Sequence, residues 1–138
     1  MPELRRRAPT PPDASMITIA FALRRRADVD EAEFHRYWRD EHGPLVVSHQ
    51  TALGITRYLQ LHSLDPAMSE ALRASRDCEP TQYDGIALVS FDSLDSLVAA
   101  TSSPDGQAAG AALLDDERRF IDLERSVIWL TEESVFIG

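Results

Sequence analysis

The chain has 138 residues, 43% hydrophobic and 27% charged, which fits one globular domain with its own core and excludes disordered, collagen-like and multi-domain organisation. Fourteen Lys and Arg against 23 Asp and Glu leave a net charge of −9, a sign that repels phosphate backbones and anionic lipid, so nucleic acid and membrane are not expected partners. The single cysteine, Cys78, excludes an internal disulfide or cysteine zinc site, and no apolar run nears the roughly 18 residues of a membrane helix.

Residues 1–15 carry three arginines and four prolines without the apolar stretch of a secretory signal. They are expected to form a mobile tail ahead of one domain over 16–138, located in the cytoplasm. Met16 to Leu23 is β-branched and bounded by Arg24-Arg25-Arg26, which predicts a strand. Its period of two separates large Ile17, Ile19, Phe21 and Leu23 from small Thr18, Ala20 and Ala22. Asp30 followed by Glu33 is a capping-box helix start, and that helix carries Phe34, Tyr37 and Trp38 until Gly43-Pro44 breaks or kinks it just after His42.

After Gly54, Ile55 to Leu61 alternates as a second strand, with Arg57, Leu59 and Leu61 on one face and Tyr58, Gln60 and His62 on the other. Leu64 to Gln82 is too long for an unstructured loop, and Pro66 ahead of Met68, Ala71 and Leu72 predicts a short helix there, a lid or spacer. Tyr83 to Phe91 reads as a third strand. Leu94 to Ala100 and about Asp105 to Leu123 read as helices, and Val127 to Ile137 as a fourth strand.

Strand, helix, strand, repeated once, is the ferredoxin-like α+β order: a (βαβ)2 unit with an antiparallel sheet and its helices on one face. The other face would then leave Ile86 and Leu88 exposed beside Ala20 and Ala22, so a second sheet is expected to cover it. A homodimer through the sheet faces supplies that cover.

On the uncovered face the strands are expected to present Thr18, Ala20 and Ala22, then Tyr58, Gln60 and His62, then Ile86, Leu88 and Ser90, with Trp38 bordering them. Two readings fit: a small-molecule pocket with apolar walls and a few polar tips, or a solvated sheet face with alternating polar residues. His42 also has two readings. It is either a histidine favoured by the negative end of a helix dipole, or a group whose unperturbed pKa of about 6.5 suits proton transfer near neutrality. His35, His42 and His49 stand seven residues apart, about 10.5 Å along a helix, too far for shared coordination, so no metal site is expected. Asp115, Asp116 and Glu117 point to different sides of a helix and read as solvated surface. No phosphate-binding glycine loop and no nucleophile elbow is present.

The residues Phe34, Tyr37-Trp38, His42-Gly43-Pro44-Leu45-Val46, Tyr58-Leu59-Gln60-Leu61-His62 and Tyr83-Asp84-Gly85-Ile86-Ala87, with Asp116-Glu117 and Phe120-Ile121-Asp122 further on, together resemble the EthD-domain family of the dimeric α/β-barrel superfamily. The likeness runs from about Met16 to the C-terminus. It implies a ferredoxin-like protomer that dimerises through its sheet, with a pocket in each half. Relatives in the superfamily include cofactor-free polyketide cyclases, dehydratases, decarboxylases and monooxygenases.

By that resemblance His42 matches the family's helix-end histidine, and Tyr58, Gln60 and His62 its pocket-lining strand. Leu61 departs from the asparagine the family often has, and Leu88 and Ser90 stand where an acidic residue and a tryptophan are common, which makes the cavity more apolar. The expected function is a cofactor-independent enzyme acting on an aromatic or polyketide-like carbonyl substrate. His42 would take a proton, Tyr58 and His62 would hydrogen-bond the developing enolate and Gln60 would orient the substrate. The rivals are cofactor-free oxygenation of the same carbanion and a non-catalytic protein that sequesters a hydrophobic metabolite.

Overall fold

The computed structural model describes residues 16–138, so the expectation for the 1–15 tail lies outside the described residues. The first strand, β1, spans Ile17–Leu23. Helix α1 follows over Glu31–Tyr37, capped by Asp30, whose carboxylate accepts from the Glu33 amide at 2.8 Å. It runs without interruption into a π-helical turn, Trp38–His42, and then α2, Gly43–Ser48. Gly43-Pro44 therefore does not break the helix, because a proline at the second position of α2 needs no amide donor.

A short α3, Gln50–Leu53, ends at Gly54, whose φ of 68° turns the chain into β2, Ile55–His62. Then come α4, Pro66–Arg76, β3, Gly85–Phe91, α5, Leu94–Ser102, α6, Pro104–Glu117, and β4, Val127–Glu132. The sheet is antiparallel with order β2-β3-β1-β4, the ferredoxin-like arrangement. No helix among the described residues is long and apolar enough to cross a membrane.

Two expected boundaries shift. Helix α6 stops at Glu117 and not near Leu123, because Phe120 and Ile121 turn inward, and the backbone there pairs with β1's end through Arg26 N to Phe120 O at 3.0 Å. The fourth strand ends at Glu132, so Val135 to Ile137 lie beyond the ladder and are exposed.

Strand register decides which side chains share a face. Ala20 opposes Leu88, and Leu88 opposes Leu59; Ala22 opposes Ile86, and Ile86 opposes Leu61. One face therefore carries Ala20, Ala22, Ile86, Leu88, Leu59 and Leu61. The opposite, helix-covered face carries Phe21, Leu23, Ala87, Val89, Tyr58, Gln60 and His62. The core lies there, around fully buried Leu23, Phe34, Trp38 and Phe120.

Candidate active site

The register corrects the expected grouping of site residues. Tyr58, Gln60 and His62 do not join Thr18, Ala20, Ala22, Ile86, Leu88 and Ser90 on the uncovered face; they lie on the helix side. The alternation within β2 was legible but its phase was not. Leu59 and Leu61 face outward and Tyr58, Gln60 and His62 face the helices, where α1 and the π turn offer them hydrogen-bond partners.

Those partners form a chain. The Gln60 amide nitrogen donates to the Trp38 carbonyl at 2.7 Å and to the Tyr58 hydroxyl at 2.8 Å. Its oxygen then accepts from His62 Nε2 at 2.8 Å, and His62 Nδ1 meets His35 Nδ1 at 2.7 Å. An amide oxygen can only accept, so His62 carries a proton on Nε2. Burial, then the neighbouring His35 and Arg39, hold the His62 pKa below its ordinary value, so near neutrality Nδ1 is an acceptor and His35 donates. Both His62 nitrogens are thus occupied within the protein. Tyr58, its pKa raised by burial, stays protonated, and because it accepts from Gln60 its own proton remains free for another acceptor.

His42 is set by a different device. Phe34, Trp38, His42 and Val46 are all buried at intervals of four. On a regular helix of 3.6 residues per turn each such step drifts by about 40°, so the last would sit about 120° off the first. The wider π turn over Trp38–His42 counters that drift and keeps both side chains inward.

There His42 Nδ1 lies 2.7 Å from Asp116 Oδ2, with the two side chains only 6% and 15% exposed. The other Asp116 oxygen accepts from the Tyr37 hydroxyl at 2.5 Å, and Arg119 Nε stands 3.6 Å away. Burial and Asp116 push the Tyr37 pKa up to about 12, so it remains a donor. Burial lowers the His42 pKa against the opposing pull of Asp116. The imidazole is therefore neutral near pH 7, its proton on Nδ1 towards the carboxylate and its lone pair on Nε2, which has no protein partner among the described residues.

Asp116 corrects the expectation of solvated surface at 115–117. The aspartate's signal in sequence was weak: a carboxylate in the last turn of a helix, 74 residues from the histidine it holds. Glu117 is also half-buried, its pKa raised to about 7 by burial and by Asp116.

A groove of about 510 Å3 opens beside this network, lined by Arg39, Gly43, Pro44, Val47, Tyr58 and Gln60. That is within the roughly 300–1,000 Å3 of small-molecule sites. His42 adjoins it through Gly43 and is not itself in its wall. A Cβ on Gly43 would stand 3.1 Å from the Gln60 amide nitrogen, so glycine there lets Gln60 reach the Trp38 carbonyl. Trp38 is a core residue, 1% exposed, its ring centre 4.4 Å from that of His62 in a tilted arrangement, and stands outside the groove wall. Thr18 and Ser90 bond each other at 2.8 Å on the far face. Ala20, Ala22, Ile86 and Leu88 lie on that face too, away from the groove.

Comparison with known proteins fits this frame. No curated protein matches the chain. Among solved structures, a Bacillus halodurans ethyl tert-butyl ether D family protein is 18% identical, with 86% of this chain and 99% of that one covered and a TM-score of 0.56. A variant of SnoaB, a cofactor-independent oxygenase from Streptomyces nogalater, is 14% identical over 90% and 98%, with a TM-score of 0.52. The hydroxynitrile lyase of Passiflora edulis is 10% identical over 93% and 100%, also at 0.52. At such identities the likeness is one of fold. The EthD-domain family model matches residues 26–124, a span that holds the π turn, His42, the polar strand and Asp116, and the chain belongs to the EthD-domain family.

Proposed function

We propose that the protein is a cofactor-independent small-molecule enzyme that removes an acidic proton next to a carbonyl, with an aromatic or polyketide-like substrate. The observation that carries this reading is the His42–Asp116 pair. A buried carboxylate fixes the Nδ1–H tautomer, burial lowers the pKa and keeps the ring neutral, and the Nε2 lone pair, without a partner among the described residues, is available as a base.

Substrate would enter the groove against Pro44 and Val47. Tyr58, held by Gln60, would donate its free proton to the oxygen on which charge develops. His62, occupied on both nitrogens, is a positioning residue that fixes Gln60 and does not reach the enolate itself. The carbanion then leads to cyclisation or dehydration; decarboxylation would form the same carbanion by loss of carbon dioxide and return a proton to that carbon. The fold likeness to SnoaB, a cofactor-independent oxygenase, keeps reaction of that carbanion with oxygen as the second reading, and product mass separates the two.

The test is exchange of the α-proton of aromatic β-keto substrates in deuterated water, followed by turnover. His42→Ala is expected to lower kcat by about 100-fold or more with the fold intact. Full activity in a folded His42→Ala protein overturns the reading.

A homodimer through the sheet completes the proposal. Strand β4 presents Val127 and Trp129 on one face and Ile128 and Leu130 on the other, all between 45% and 58% exposed. A second copy stacked on the outer face covers Val127 and Trp129 together with Leu59 and Leu61.

A further inference from the structure

The groove beside the polar strand has one charged residue in its wall. Arg39, Gly43 and Val47 stand at intervals of four along the helix, each one residue on from buried Trp38, His42 and Val46, and with Pro44 they form a wall facing Tyr58 and Gln60 of β2. Eight residues separate Arg39 from Val47, about 12 Å of helix. The wall therefore has two ends of different chemistry, a guanidinium at one and the apolar Pro44 and Val47 at the other.

The charge of Arg39 is not spent within the protein. Its Nε reaches Asp40 Oδ1 at 3.1 Å, but the two side chains are 58% and 51% exposed, and a neighbouring pair so open to water holds weakly. Nη1 and Nη2 have no partner among the described residues. Glu41 does not supply one, since it lies 2.7 Å from Arg36, which also holds Glu33 at 2.7 Å. The end of the Arg39 guanidinium thus stays open to solvent as a planar fork, the shape that meets a carboxylate with two parallel hydrogen bonds. The chain's net charge of −9 repels anions at long range, so a cation in the groove wall sets a local preference against the overall field. Asp40 beside it favours a ligand with one negative charge over one with two.

We infer that the groove selects an anionic substrate, an aromatic or polyketide-like carbonyl compound bearing one carboxylate, with that carboxylate on the Nη end of Arg39 and the apolar body against Pro44 and Val47. This rests on the reading of the groove as the substrate site and names the feature by which it chooses.

The test compares para-acetylbenzoate with the neutral para-acetylbenzamide, which has the same ring and ketone. Each is titrated into the full chain and followed by the backbone amide resonances of Gly43 and Val47, with affinity from calorimetry. The carboxylate is expected to shift both resonances saturably, with a Kd of about a millimolar or tighter, about fivefold or more below that of the amide. Arg39→Gln removes the charge from an exposed side chain, and in that variant the two probes bind alike. Equal affinity of the two probes for the parent chain overturns the proposal. So does a preference for the carboxylate that survives in Arg39→Gln, carboxylate binding that leaves Gly43 and Val47 unmoved, or no saturable shift up to about 10 mM. Binding is read without turnover, so failure of α-proton exchange alone refutes the proposed reaction and leaves this selection standing, whereas a groove indifferent to the carboxylate refutes the selection whatever the exchange assay gives.

Discussion

Glu117 offers the most direct check on the electrostatics of the site, through Glu117→Gln. Its carboxyl is pushed up from 4.5 to about 7 by burial, with Asp116 adding to the effect. Between those values the folded protein holds a proton that the unfolded chain has released, so this group's contribution to stability is full below pH 4.5 and is lost as pH rises to 7. At about 1.36 kcal/mol per pKa unit, the loss amounts to about 3 kcal/mol. His42 and His62 act in the opposite sense, since their lowered values make stability rise with pH up to about 6.5. The wild-type profile alone is therefore a sum of opposing slopes.

Gln is a neutral isostere of protonated Glu, so the difference between the two proteins isolates the one group. Denaturant unfolding at matched protein concentration should give nearly equal stabilities at pH 4.5. The variant should pull ahead by up to about 3 kcal/mol by pH 8, a shift of roughly 10 °C in Tm for a chain of this size. A constant difference across that range would refute the assignment of a neutral Glu117.

Two further perturbations address the dyad and the assembly. Asp116→Asn turns an acceptor into a possible donor at His42 Nδ1, which drives the ring proton onto Nε2; kcat should fall by about 100 to 10,000-fold while dichroism is unchanged, and wild-type turnover would show that the tautomer is irrelevant. Leu61→Lys, on the face away from the groove, should shift sedimentation at micromolar concentration from dimer to monomer without altering groove residues, and an unchanged dimer would place the interface elsewhere.

The strands and the fold were legible because their cues are local. The period of two in Ile17 to Leu23 and the Asp30 cap act within a few residues of themselves. The phase of β2 was not local. Tyr58-Leu59-Gln60-Leu61-His62 alternates whichever face is buried, and the choice depends on the second lone pair of the Trp38 carbonyl and a ring nitrogen on His35, both outside the strand. Asp116-Glu117 was part of the family resemblance, but the aspartate's role was hidden for the same reason: its partners His42 and Tyr37 lie on another element, and nothing beside it in sequence distinguishes a clamped carboxylate from one in water. His42 was visible because it stands directly before Gly43-Pro44, and the π turn holds it inward.

The phase of β2 is itself testable, because the strand contains a bulge. Ile55 opposes Phe91 and Arg57 opposes Ser90, so Thr56 is the extra residue between successive pairs. Deleting Thr56 leaves Ile55 directly before Arg57, which keeps Ile55 on the core side, Arg57 on the outer face and every later residue in place. The cost is the Thr56 hydroxyl bond to the Ser90 carbonyl at 3.1 Å, about 1 kcal/mol, and a shorter link to α3. Deleting Leu59 changes the same chain length by the same amount but reverses the phase on one side of the cut. Either Tyr58 or the pair Gln60 and His62 must then leave the helix side, and Gln60 can no longer serve both Trp38 O and Tyr58. The Thr56 deletion should therefore give a cooperative unfolding transition close to that of the parent, and the Leu59 deletion none. Equal tolerance of the two deletions, or loss of the fold on removing Thr56 alone, would mean that the polar chain along β2 does not set the register.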